Sequence, residues 1–116
     1  MFEISKEIIA YFEGASGFTA ICNNRIYAAI APEEVVFPFT TFLINQQEVS
    51  TKDMDGFDIT AFVWFEPTEY TNAIQFTDTV TSLVKSNNDW DWENSTFQYI
   101  EENDSYCGII NFKINQ

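Results

Sequence analysis

The run Phe57–Phe65 leaves less freedom than any other segment of the chain. Phe57, Ile59, Ala61, Val63 and Phe65 fall on one side of an extended backbone, and Asp58, Thr60, Phe62 and Trp64 on the other. A period of two belongs to a strand, and no helix can place these residues on two such faces. The second set turns from polar to aromatic along its length, which predicts a strand whose far end is covered on both sides. A sheet with one apolar face needs a layer packed over it. The rest of the chain has to supply that layer.

Two segments carry the helical period. Ile4, Ile8, Tyr11 and Phe12 share one helix face, with Gly14 as the stop just past it. Ala73, Phe76, Val80, Leu83 and Val84 do the same in a helix expected around 69–85, after Pro67 breaks the preceding strand and Thr68 caps. Ala73, Phe76, Val80 and Leu83 are expected to face the sheet. Between Ala15 and Asn24 there is room for a short helical turn at Phe18–Ile21.

Further strands are expected at Phe39–Ile44, Thr96–Glu101 and Tyr106–Ile114, the last two joined by the turn Glu102–Ser105. In the last strand Tyr106, Gly108, Ile110, Phe112 and Ile114 share a face. Ala28–Pro32 is short, apolar and ends at a proline, so it reads as an extended segment or edge strand. Thr51–Gly56 reads as a turn, and 86–95 as a polar, acidic loop. The expectation is one α+β domain over 1–116. It has a mainly antiparallel four-stranded sheet with two helices packed on one face, in the order helix, edge segment, strand, strand, helix, strand, strand.

Composition bounds the chemistry. Hydrophobic residues make up 46% of 116 residues, with twelve Phe, enough for a real core. Eighteen Asp and Glu face five Lys and Arg, a net charge of −13. Such a surface repels phosphate, so no sequence-specific nucleic-acid binding is expected. There is no histidine, which removes the commonest general base and metal ligand. No phosphate-cradling glycine motif is present either. No catalytic, cofactor or metal residues are assigned, and no enzyme activity is expected. Asp53-Met54-Asp55-Gly56 resembles the start of a calcium loop, but its glycine comes fourth instead of sixth. Cys22 and Cys107 are expected to be buried free thiols. The opening residues do not read as a signal peptide and no apolar run is long enough to span a bilayer, so a soluble product of the cytoplasm is expected, without membrane contact.

Asp89-Trp90-Asp91-Trp92-Glu93 is the segment that composition alone does not explain. Tryptophan in a polar loop wants cover for a large apolar area. Two explanations stand level: one or both indoles fold back onto the sheet, or they meet a partner, as tryptophan does at interface hot spots. Asp89, Trp90, Asp91, Trp92 and Glu93 are therefore the candidate assembly contact. Their carboxylates would pair with basic groups from a neighbouring protein, because this chain has few.

Several runs resemble the phage tail-completion, or tail-terminator, proteins. Arg25-Ile26-Tyr27, then Ala31-Pro32, then Phe37-Pro38-Phe39 entering a strand, is similar to the family's opening series. Phe62-Val63-Trp64 resembles its strand with a Trp near the end, Tyr70 with Ala73 its next helix, and Tyr106–Ile114 its closing alternating strand. Order and spacing over 25–114 carry the resemblance. The chain departs from the pattern at Asn23-Asn24, where the family commonly has Gly, and at Asp58 and Thr60, where it often has Arg or Gln.

The resemblance implies a structural role without cofactor. Such proteins form rings, typically hexamers, at the head-proximal end of a tail, contacting the tail tube protein and the head connector proteins. It places the chain in the bacterial host cytoplasm during assembly and in the virion tail afterwards. A head–tail adaptor or minor tail component is the next reading, and a stand-alone protein-binding module the one after it.

The charge argument is checked by titrating duplex DNA near physiological salt. Little or no binding is expected, and a salt-sensitive submicromolar complex contradicts it.

Overall fold

A computed structural model describes residues 2–51 and 54–115. It contains α1 (Phe2–Glu13), α2 (Ser16–Cys22), β1 (Ile26–Ala28), β2 (Phe39–Thr51), β3 (Met54–Phe65), α3 (Tyr70–Ser86), β4 (Trp90–Ile100) and β5 (Ser105–Asn115). The strands form one five-stranded sheet in the order β1-β2-β3-β5-β4. Only β1 and β2 run parallel; every other pair is antiparallel.

The alternation in β3 sets the two faces. Phe57, Ile59, Ala61, Val63 and Phe65 are all buried, and they share one core with Ile4, Ile8 and Phe12 of α1, Phe18 and Cys22 of α2, and Ala73, Phe76, Val80 and Val84 of α3. The three helices therefore lie on one face. Asp58, Thr60, Phe62 and Trp64 point the other way and are half-buried. Over the Trp64 end of that face the cover is a loop: Ala29–Ala31, Phe37 and Asn103 line a cavity of about 290 Å³ above Trp64 and Ser105.

The expected four-stranded sheet with two helices is corrected to five strands, mixed, with three helices. Ile26–Ala28 was expected to lead into an edge segment at Ala28–Pro32; it is instead a parallel edge strand, and the chain bends away after Ala28. Without a crossover helix, a parallel return needs its ends pinned. Arg25 does this: its Nε donates to the Pro38 carbonyl at 2.8 Å, and its own carbonyl accepts from the Thr40 amide at 2.9 Å. Phe18–Ile21 lies within a seven-residue α-helix that adds the third helix to the layer.

The acidic stretch expected as a loop over 86–95 is largely strand, because Trp90-Asp91-Trp92 is itself an alternation. Its polar residues mark an edge strand, where one side faces water and β-propensity is overridden by packing. Thr51–Gly56 is likewise not a six-residue turn. Thr51 ends β2 and Met54 already begins β3, with positions 52 and 53 outside the described residues. Thr68 does not cap α3. Glu69 occupies that position, makes no side-chain bond to the helix backbone, and accepts from the Asn72 amide at 2.6 Å. Leu83 packs at the edge of the core, while Val84 is fully buried.

Gly108 sets how closely α3 approaches the sheet. A Cβ at this position would lie 2.0 Å from Thr77 Oγ1 and 2.7 Å from Val63 Cγ2. Thr77 cannot turn away freely, since its hydroxyl donates to the Ala73 carbonyl at 2.8 Å. Gly108→Ala is expected to destabilise by about 1–3 kcal/mol through overpacking. Adding Thr77→Ala should recover part of that loss in denaturant melts. Wild-type stability in Gly108→Ala alone contradicts the close approach.

Candidate assembly surfaces

The segment Asp89–Glu93 divides between core and surface. Trp90 is 4% exposed. Its ring stacks on Phe112 at 4.9 Å between centroids and meets Tyr11 at 4.6 Å and Phe12 at 5.8 Å. Trp92, two residues on and on the same face, is 37% exposed because the helix layer ends there. Its Nε1 donates to Ser95 Oγ at 2.9 Å, and Lys85 Nζ lies over its ring at 4.2 Å. A register shift between Trp92 and Asn94 then exchanges the two faces, so Phe97 and Tyr99 follow onto the helix side.

The carboxylates spread outward. Asp91 lies opposite Lys113 in the ladder and accepts from the Asn115 amide at 2.8 Å. Lys113 also reaches Asp58 at 3.9 Å. Asp89 and Glu93 are exposed, and no cation among the described residues lies within ion-pair reach of either.

Two surfaces escaped the sequence reading. On the open face Phe39, Trp64 and Phe62 form a row, with centroids 6.3 and 6.2 Å apart and rings nearly parallel. Trp64 Nε1 donates to Thr41 Oγ1 at 3.1 Å, which holds the indole flat on the sheet. Leu43 lies in the same layer and is exposed. The aromatic end of the second β3 face was the available signal. The other surface is an arm: Glu48↔Gly56, Val49↔Asp55 and Thr51↔Met54 pair β2 with β3, while β5 reaches no further along β3 than Gly56. Two strands without a third are marginal alone in water.

Reactive chemistry is scarce among the described residues. No group of three or more His, Cys, Asp or Glu is placed to hold a metal, and no helix is long and apolar enough to cross a membrane. Cys22 and Cys107 are free and buried. Burial pushes the Cys22 thiol up to about 11, with Thr40 and Arg25 opposing, and the Cys107 thiol up to about 12.

Searches with the sequence against protein-family models and against curated proteins return no match. The fold does have solved counterparts. A chain from the virion of a native gene transfer agent particle superposes with a TM-score of 0.73 at 11% identity, covering 93% of this chain and 90% of that one. At that identity the likeness establishes a shared fold.

Trp90→Ala is expected to cost about 3–5 kcal/mol, as for a fully buried aromatic, and Trp92→Ala much less in the same melts. Equal losses would contradict the division between core and rim. Neither thiol is expected to react with iodoacetamide at pH 8 in the folded protein, and both should react once it is unfolded. Both thiols have raised values in the fold, so their stabilisation is complete below about pH 9 and is lost as pH rises toward 11–12.

Proposed function

We propose that this chain is a structural protein of a phage-type virion that caps the head-proximal end of the tail tube as a ring. In that role it ends tail polymerisation and joins tail to head. The observation that carries the reading is the fold shared with a gene transfer agent virion chain over nearly the whole of both chains. The motifs at 25–27, 31–32, 37–39, 62–64 and 106–114, in the order of the tail-completion proteins, support the specific role.

The surfaces suit a ring. An open sheet face bearing Phe39, Phe62, Trp64 and Leu43 gives neighbouring copies an apolar contact, and the arm beyond Gly56 gives them a third strand to complete. Repeated head-to-tail contacts close into a ring where the rotation between copies closes. Six copies at −13 each carry −78, so a lumen lined by part of that charge would release passing DNA instead of gripping it. The partners are then further copies of the chain, the tail tube protein and the head connector proteins. Trp92 sits at the rim of the helix layer, and the exposed Asp89, Asp91 and Glu93 beside it in the chain are open to a neighbour. Trp90 supports them from within.

Light scattering on the purified protein, alone and mixed with tail tubes, tests this. A six-copy ring, or a tube-bound form at one end only, is expected. Phe62→Ser with Leu43→Ser should leave a folded monomer, because both side chains lie off the helix-side core. A wild-type monomer that ignores tubes overturns the reading, and binding to connectors without tubes favours a head–tail adaptor.

A further inference from the structure

The outer edge of β4 is a long unpaired edge of the sheet. β4 ends the strand order, and its regular ladder with β5 runs without interruption from Asn94 to Ile100. Sheet edges are normally guarded by brevity, lysine, proline or bulges. On the opposite side β1 is only three residues long, and past it the free side of β2 is broken by register shifts at Ile44/Gln46 and Val49/Thr51. β4 has eleven residues, no proline and no lysine, and its register shift lies at Trp92/Asn94, before the regular part begins.

Charge brackets this edge. Asp89, Asp91 and Glu93 stand at one end, and Glu101, Glu102 and Asp104 at the other. All six are exposed. Asp91 and Asp104 are engaged, by Asn115 and by the Tyr99 hydroxyl respectively. Among the described residues no cation lies in ion-pair reach of Asp89, Glu93, Glu101 or Glu102. Between the acid ends the side chains are uncharged: Asn94, Ser95, Thr96, Phe97, Gln98, Tyr99 and Ile100 span roughly 20 Å of extended backbone.

We infer that β4 accepts, as an added sixth strand, an extended segment of a different protein with Lys or Arg at both ends of an uncharged, β-prone centre. Main-chain hydrogen bonds along 94–100 supply the affinity, and the two acidic ends select the partner and fix its register. A second copy does not fit. Paired with another β4, parallel or antiparallel, each acidic end meets an acidic end. Paired with the β1–β2 edge, it finds three residues beside an Arg25 whose guanidinium is already held by Pro38 and Ile21, and then a β2 that holds Glu48 and no Lys or Arg to meet its acidic ends. The inference names a partner for the candidate contact of the proposed virion role, but it rests on the edge and its charges, not on ring formation.

The test uses the full-length protein and two synthetic peptides. Each has a seven-residue centre of alternating threonine and valine, flanked by two lysines at both ends in one and by two glutamates in the other. The lysine-ended peptide is expected to protect the amides of 94–100 from hydrogen exchange, more weakly as salt rises, and the glutamate-ended peptide to protect none. Asp89→Asn, Glu93→Gln, Glu101→Gln and Glu102→Gln combined should weaken the lysine-ended peptide on the order of tenfold while leaving the melting curve unchanged. Absent or misplaced protection, equal binding of both peptides, or unchanged binding by the variant overturns the inference. Light scattering on the same samples separates the two readings. A wild-type monomer that binds the peptide counts against the ring alone, and a ring with a silent β4 edge counts against the edge alone.

Discussion

Burial of a single sheet face under three short helices is the constraint from which the rest of this structure follows, and Trp90 sits where it is tightest. The indole lies on Phe112 of β5 and touches Tyr11 and Phe12 of α1, so it joins the last two strands to the first helix. Tyr11 in turn donates its hydroxyl to the Leu83 carbonyl at 2.6 Å, tying α1 to the end of α3. Midway along α3, Gly108 lets Thr77 descend almost onto the backbone of β5. A helix layer held this closely turns Ile4, Ile8 and Phe12 of α1 and Ala73, Phe76, Val80 and Val84 of α3 onto one face of the sheet. On the other face, the loop carrying Ala29–Ala31 and Phe37 covers the Trp64 end.

The rest of that face is left open because the three helices form a single layer. What the open face carries is still selective. Phe39, Trp64 and Phe62 lie flat and nearly parallel, with the one indole hydrogen satisfied by Thr41, so the row exposes area without exposing an unpaired donor. An apolar surface of this kind suits contact with like surfaces, including another copy of the same chain.

Charge divides the labour differently. Lys6 reaches Glu3, Arg25 closes the β1–β2 loop, Lys85 covers Trp92 and Lys113 bridges to Asp58, so the described cations are spent inside the protomer. A surface so short of available positive charge repels its own copies wherever acid would meet acid. Self-contact is pushed toward the apolar face, and acidic surface is left to partners of opposite sign. Apolar face and acidic edge lie on different sides of the same sheet, which allows one protomer to serve both kinds of neighbour.

The alternation of Phe57–Phe65 determined β3 and its buried side, and the helical spacing of Ile4, Ile8 and Phe12 and of Ala73, Phe76 and Val80 determined two helices and the faces they bury. Local periodicity reports which side of an element is apolar, and these elements are buried on the side their own residues dictate. The absence of histidine and the shortage of cations were equally plain, because composition needs no fold. Tertiary structure alone decided the rest. Asp and Asn made the first half of β4, up to Ser95, read as a loop, yet an edge strand needs only one paired side and one buried face, and Trp90 supplies the second through contacts with residues distant in the chain. β1 is three residues long and exists only because β2 lies beside it, with Arg25 holding the return. Whether Trp90 and Trp92 were core or surface was open for the same reason: the two indoles share a face, and only the place where the helix layer ends separates them.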